Sequence, residues 1–352
     1  MENPLNFDKL ISFLPKNYAD LCFKTKAIER IREIKTPEEL MFYCLNYLYA
    51  GCTLKELSAI SLLKGCTISN SDFMKRLAKC NDWYKAIIAE MSFPQIFNYT
   101  KPAGLENYDF YAADGSDIMS KGKVKQEFHL HYAINIFSLS TGQFKITNQK
   151  TGESLTNFKI QPKQVYIADR AYGTKASIKH CLSGGGEIIA RLKKDAFIIC
   201  DESGNKIVLA DLLANVTETE VLDLPCFFKD SDKNLVPIRI CAVKKTSEAI
   251  EKTQEKLRKQ EIKKQKSLSE EAKFMNNFII LATSLTQVPA AEILQIYRYR
   301  WQVELYFKRL KSILCLGEAP NRKEENIIAW LNGKMLTALL IEQLYTETSF
   351  SP

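Results

Sequence analysis

Histidine is nearly missing from this chain of 352 residues: there are three, beside ten scattered cysteines of which no two form a C-x-x-C pair. Structural zinc is therefore not expected. The opening MENPLNFDKL carries an early Glu2 and lacks the basic stretch and apolar run of a secretion signal. Without such a signal the cysteines read as reduced thiols, and the expected location is cytoplasmic. Long hydrophobic runs are also lacking. The longest, 335–341, is broken by Thr337 and falls far short of the roughly 20 residues that cross a bilayer, so no membrane helix is expected. Tryptophan is scarce too, with only Trp83, Trp301 and Trp330.

What remains, 46% hydrophobic and 26% charged residues, is the composition of an ordinary globular chain of two or three domains. It excludes disorder and fibrous repeats. Lys and Arg number 49 against 41 Asp and Glu, a formal charge of +8, and a polyanionic partner becomes plausible. Residues 251–266 alone hold seven basic and three acidic residues, a charged helix of the kind that is usually a solvated face.

Residues 30–104 read as helices, with caps and apolar spacing in TPEELMFYCLNYLYAG, TLKELSAISLLKG and SNSDFMKRLAKCNDWYKAIIAEM. Thr53 can cap one helix, Gly65 can end it, and Ser69 with Asp72 can open the next, a pattern compatible with helix-turn-helix. From Tyr108 the texture changes to short β-type runs: YDFYAAD, EFHLHYAINIF, QFKITNQK, QVYIADR and EIIARL, with a helix at 174–182 before the last. The expected class is α/β (α+β), a mixed sheet flanked by helices with an αβ crossover. A second β-rich stretch covers AFIICDESGNKIVLADLL, TETEVLDL and VPIRICAVKK. The charged helix near 247–272, a buried strand in NNFIILATS and two long helices complete the chain.

Acidic residues at strand ends are the candidates for chemistry. Asp114 terminates an apolar strand before Gly115 and Ser116, and Asp169 ends VYIA before Arg170-Ala-Tyr-Gly. Carboxylates on neighbouring strand ends can share a hard cation such as Mg²⁺; Asp117 remains a rival for the first position. A third acid lies in a helical pattern. At about 100° per residue, Tyr297, Arg300, Glu304 and Lys311 share one face within about 60°. Ile296, Val303, Phe307, Leu310 and Leu314 form an apolar stripe that borders it.

Tyr297-x2-Arg300-x3-Glu304-x6-Lys311 resembles the signature of the bacterial DDE transposases of the insertion-sequence-four family. Asp114-Gly-Ser resembles the family's first catalytic motif and Asp169-Arg-Ala-Tyr-Gly its second, with Gly152-Glu153 fitting between them. The resemblance covers residues 25–345. It implies a ribonuclease-H-like core from 105–195 and 275–345, a helical DNA-binding domain over 1–104, and a β-rich insertion over 196–274. Asp114, Asp169 and Glu304 would hold two Mg²⁺ ions, with Mn²⁺ able to substitute. Tyr297, Arg300 and Lys311 would contact DNA phosphates, and Arg170 and Lys308 join them as candidates. The implied partners are double-stranded DNA, as terminal inverted repeats and as target, and a second copy of the chain, in a cytoplasmic, nucleoid-associated setting. The implied activity is cut-and-paste transposition through hairpin ends. A DNA-binding regulator derived from an inactive transposase, and a structure-selective nuclease on the same core, stay open as alternatives. Hairpin-forming relatives can stack an extruded base on an aromatic of the insertion. No tryptophan lies there, and Phe197, Phe227 or Phe228 would have to substitute, although core packing suits each better.

Overall fold

The computed structural model describes residues 7–91, 101–120, 128–138, 140–194, 196–301, 303–305, 308, 311, 318–320 and 323–349. The first part is helical: α1 (Phe7–Ser12), α2 (Tyr18–Lys24), α3 (Pro37–Leu48), α4 (Leu54–Leu63), α5 (Asn70–Lys79) and α6 (Asn81–Glu90). Local chemistry sets the boundaries. Thr36 Oγ1 accepts from the Glu39 amide to start α3, with Pro37 as its first residue. Thr53 and Glu56 form a reciprocal capping box at the start of α4. Gly65, at φ 79°, turns the chain through the left-handed region after that helix, and Ser69 caps α5. The fully buried Trp83 donates its indole N–H to the Tyr18 carbonyl at 2.8 Å, which fastens α6 to α2.

The remainder runs β1 (Asp109–Ser120), β2 (Phe128–Asn135), β3 (Ser140–Asn148), β4 (Gln164–Ala168), α7 (Lys175–Ser183), β5 (Glu187–Arg191), β6 (Ile199–Cys200), α8 (Leu209–Leu213), β7 (Val221–Lys229) and β8 (Leu235–Lys244). It continues with α9 (Ser247–Lys264), α10 (Glu270–Met275), β9 (Phe278–Thr283), α11 (Ala290–Arg298), β10 (Glu318–Ala319) and α12 (Glu324–Ser349). The strands form one mixed sheet in the order β3-β2-β1-β4-β5-β9-β8-β7-β6, with β10 paired to the end of β1. This is the expected α/β architecture, a mixed sheet flanked by helices, consistent with a ribonuclease-H-like fold. β1, β4 and β5 are parallel, and α7 is the crossover from β4 to β5. β2 and β4 are buried along their whole length, as strands covered on both faces must be.

Two apolar clusters cover the two faces. On one, Phe110, Ala112 and Ile118 of β1 meet the N-terminal helices, α11 and α12. On the other, Ala113, Tyr166 and Ala168 meet α7 and the segment after β5. Phe197 and Phe228 pack against each other in this second cluster, with ring centres 5.0 Å apart. α12 crosses back onto α3, α5 and α6. By length and composition its stretch Glu324–Leu344 could cross a membrane, but 72% of that window is buried inside the fold. Its apolar surface is thus accounted for by packing.

Three local readings change. IVLADLL was read as β-type, yet Leu209–Leu213 is a short helix, because an apolar run of this length fits either period. The charged helix near 247–272 is two helices, broken at Gln265 in the left-handed conformation; α9 buries no residue. β8 pairs with β9, which in turn pairs with β5, so the strands of 196–274 lie in the same sheet as those before them.

Trp83→Ala is expected to lower stability by about 3–5 kcal/mol through the cavity it leaves. Thr53→Ala, which removes only a cap, should cost about 1 kcal/mol. Urea midpoints followed by tryptophan fluorescence and by circular dichroism check both, and equal losses would contradict this account of the helical domain.

Candidate active site

Asp114 and Asp169 meet because β1 and β4 run parallel in a register that pairs Ala113 with Ala168. The next residue along each chain is an aspartate. Asp114 is 19% exposed at its side chain, and its Oδ1 accepts from the Gly115 amide at 2.8 Å. Asp169 Oδ1 accepts from the Ala171 amide at 2.8 Å, which fixes the turn into α7. Burial, with the nearby charges of Asp169 and Glu153, pushes the Asp114 carboxyl up to about 6 against the pull of the Gly115 amide and Arg300. Strand alternation puts Asp114 on the face of Ala112 and Ser116, the face that α11 covers.

The segment carrying Glu304 departs from the single continuous helix that the wheel assumed. α11 ends at Arg298, and Tyr299 and Arg300 form a turn with i→i−3 bonds, from Tyr299 N to Ile296 O and from Arg300 N to Tyr297 O, before helix resumes at Trp301. The turn swings the Arg300 guanidinium between two acids. Its Nη2 lies 2.5 Å from Glu304 Oε1 and its Nη1 lies 3.9 Å from Asp114 Oδ2, while the group sits over the Tyr297 ring at 6.0 Å. Ile296 and Val303 are buried as the apolar stripe requires; Phe307, Leu310 and Leu314 lie outside the described residues. Tyr297 is itself 9% exposed, and burial pushes its hydroxyl up. Lys308 and Lys311 are exposed.

The placement of α11 depends on Arg239, buried at 8% exposure. It forks onto Asp223 of β7 and donates Nη1 to the carbonyls of Leu285 and Val288, at 3.1 and 2.6 Å, just before α11. A chain of fixed bonds therefore runs from the far strands to the Tyr297 turn.

A match along the sequence now decides the family. The profile described as the transposase DDE domain matches residues 100–340. The chain belongs to the DDE transposases. Similar proteins include that named InsL for insertion sequence element IS186A of Escherichia coli K12, 26% identical over 90% of this chain and 87% of the relative. The transposase for insertion sequence element IS421 of Escherichia coli is also 26% identical over the same shares. That for IS231E of Bacillus thuringiensis subsp. finitimus is 24% identical over 65% of this chain and 51% of its own. As a transposase the protein cleaves and transfers DNA, and DDE domains generally use divalent metal ions for that chemistry.

Among the described residues no three acidic, histidine or cysteine side chains converge closely enough to hold one ion. Asp114 and Glu304 instead share the guanidinium of Arg300. The donor set still fits a hard divalent cation: the candidate ligands are carboxylates, the charge of Asp169 adds to burial in raising the proton affinity of Asp114, and a cation already lies between the first and the third. Asp117, the rival for the first position, points elsewhere, its Oδ1 3.0 Å from His129 Nδ1.

Arg170 donates Nη1 to Asn276 Oδ1 at 2.8 Å, at the joint with α10. Arg191 and Lys245, which the sequence did not single out, lie beside it. Lys245 donates to the Asn276 carbonyl at 2.6 Å, and burial and the two arginines bring its ammonium down to about 8. Among the described residues the buried Nε atoms of Arg170 and Arg191 find no partner. Both residues stand far apart in sequence from Lys245, so no local motif could have joined them.

The Asp114 value carries a pH prediction. Below about pH 4 the carboxyl is protonated in both the folded and the unfolded chain. As pH rises toward about 6 only the unfolded chain loses the proton, so the metal-free protein loses stability, by about 3 kcal/mol at most. Asp114→Asn should therefore stabilise the metal-free transposase at pH 7.5 and leave it unchanged near pH 4. Urea denaturation in chelator at the two pH values checks this, and destabilisation at pH 7.5 would refute it.

Proposed function

We propose that this transposase excises an insertion sequence by cut-and-paste, with Asp114, Asp169 and Glu304 as its catalytic acids. The observation that carries the reading is the convergence of Asp114 and Asp169 on adjacent parallel strand ends, with Glu304 joined to Asp114 through one guanidinium. Two Mg²⁺ ions, or Mn²⁺ in their place, supply Lewis acidity at the attacking and leaving oxygens when bound. The protein's part is to present oxygen ligands and to hold the phosphodiester. Arg300 has a planar fork suited to a phosphate. When a phosphate takes that fork, Glu304 is released to serve as a ligand, so DNA binding and cation binding support one another. Tyr297 donates a hydrogen bond from beneath, and Lys308 and Lys311 add exposed positive charge farther along the segment.

In this reading residues 1–104 bind the terminal inverted repeats, 105–195 with 275–345 cut, and 196–274 carries the charged α9 along flanking DNA. Arg170, Arg191 and Lys245 hold a phosphate at the joint, where buried N–H groups and concentrated positive charge favour an anion. The freed 3′-hydroxyl then attacks the opposite strand to make a hairpin end, and two copies of the chain act on paired ends in the cytoplasm, at the nucleoid.

The test uses DNA bearing the repeats that flank the protein's own locus. Asp114→Asn, Asp169→Asn and Glu304→Gln should each abolish Mg²⁺-dependent cleavage while repeat binding persists. Arg300→Ala and Lys311→Ala should weaken the paired-end complex and recover partly in low salt, since the lost attraction is to phosphate. Extra Mn²⁺ should rescue neither. Cleavage that survives chelation sinks the metal reading, and loss of cutting in Asp117→Asn with retention in Asp114→Asn reverses the assignment of the first acid.

A further inference from the structure

The edge of the sheet that carries Asp169 continues into a row of basic residues. Ala168 pairs with Ala190, so Asp169 at the end of β4 stands beside Arg191 at the end of β5. Arg191 pairs with Leu281 of the antiparallel β9, and the start of β9, where Phe278 pairs with Lys244, therefore lies beyond the end of β5. Lys245 follows β8 at that point. Asn276 joins the row: its side chain accepts from Arg170 at 2.8 Å and its carbonyl from Lys245 at 2.6 Å. Gly173 keeps the Arg170 turn against β5, since a Cβ there would come within 2.3 Å of the Arg191 carbonyl oxygen. Arg170, Arg191 and Lys245 thus share with Asp169 the edge formed by the carboxyl ends of parallel strands, where open α/β sheets bind their ligands.

α9 leaves from the same edge. Lys245 Nζ also donates to Thr253 Oγ1 at 3.0 Å, which ties the first half of α9 to the row. At about 100° per residue, Lys252, Lys256, Lys259 and Lys263 fall within about 60° of one another. Opposite them lie Gln254, which donates to the Lys273 carbonyl and to Asn277 Oδ1, and Glu261, which pairs with Lys273, so that side holds α9 to α10. Glu248, Glu251 and Glu255 gather on one flank of the lysine stripe. Lys252 and Lys259 pair with Glu248 and Glu255 yet stay 70% and 73% exposed, and exposed pairs of this kind are weak. Lys256 and Lys263 are exposed as well. A helix that is only solvated needs no such sorting of charge.

The sheet order gives the stripe a direction. α12, which packs on α3, α5 and α6, also packs on β3, the outermost strand on one side of β1 and β4. α9 joins β8 to β9, on the other side. Asp114 and Asp169 therefore lie between the helical domain and α9. A duplex whose terminal repeat rests on the helical domain and passes the acids reaches α9 with the sequence beyond the cut.

We propose that Arg170, Arg191, Lys245 and the lysine stripe of α9 form one track that holds the phosphate backbone of double-stranded DNA outside the element, whatever its sequence. This deepens the place given to α9 above and rests on the reading that Asp114 and Asp169 cut at the element's end. From Lys252 to Lys263 the stripe is about 16 Å long at roughly 1.5 Å per residue, or about five base pairs at 3.4 Å each. Full-length protein is bound, without Mg²⁺ and over a range of salt, to repeat DNA that ends flush with the cleavage point or about 15 base pairs beyond it. The parent should bind the longer DNA more tightly, equally so when the flank is scrambled. Lys252→Gln, Lys256→Gln, Lys259→Gln and Lys263→Gln together, with folding checked by circular dichroism, should cost about tenfold in affinity on the longer DNA and make the slope of log K against log salt shallower by about two to four. The loss should shrink on the flush DNA. Lys256→Arg with Lys263→Arg should keep the parent's affinity, and Glu248→Gln with Glu255→Gln should tighten the longer complex by freeing two lysines. A folded four-lysine variant with the parent's salt slope overturns the track, and an equal loss on both DNAs overturns its placement outside the element. If the parent neither binds repeat DNA nor cuts it when Mg²⁺ is added, the underlying reading falls and the inference with it.

Discussion

The site is organised around a repulsion. The register that pairs Ala113 with Ala168 forces Asp114 and Asp169 side by side at the edge of a sheet covered on both faces. There the low dielectric strengthens their mutual unfavourable energy and withholds the water that would ease it. Burial first, and the charge of Asp169 beside it, make Asp114 hold its proton more tightly. Arg300 offers partial relief, but at 3.9 Å it stands off from Asp114 and is closer to Glu304. The metal-free protein is therefore kept in an electrostatically unsatisfied state that a divalent cation relieves. In the proposed reading, that free-energy difference favours a cation at a site whose candidate ligands come from three separate elements.

The break at Tyr299 and Arg300 follows from the same constraint. A continuous helix would have carried Arg300 and Glu304 on one smooth face at i,i+4 spacing, a pair that mainly stabilises the helix itself. With the turn, the guanidinium keeps Glu304 at 2.5 Å and also comes to 3.9 Å from Asp114 on β1. Arg239 matters here because it ties β7 to the loop that leads into α11. The start of α11 cannot shift without disturbing the hydrogen bonds of a buried arginine, so the turn at its end is built on a fixed base.

Much of this was legible because the relevant signals are local. Alternating and continuous apolar runs marked β1 to β5 and β9, and caps at Thr53 and Ser69 marked the helices. An aspartate just after an apolar strand, followed by glycine or a helix start, marked Asp114 and Asp169. The failures have local causes as well. IVLADLL has no period long enough to separate strand from helix. The turn at Tyr299 and Arg300 contains neither glycine nor proline, and its residues are all tolerated in helices, so nothing in YRYRWQVEL announces it.

The continuity of the sheet bears on how DNA would be handled. Residues 196–274 read as a separate insertion from sequence, yet β8 pairs with β9 along six consecutive residue pairs, from Arg239–Thr283 to Lys244–Phe278. Hinging between this segment and the strands carrying Asp114 and Asp169 would have to break a buried ladder, whose unpaired amides and carbonyls are costly. Arg170, Arg191 and Lys245 sit at that joint, and mutual repulsion among them keeps the joint under electrostatic load. An anion arriving there relieves positive repulsion at one end of Asp169, while a cation arriving at the other relieves negative repulsion. Because both lie on one rigid sheet, a phosphodiester chain that spans them would answer the positive deficit directly and the negative one only through a divalent cation between it and the carboxylates, at a spacing set by backbone hydrogen bonds.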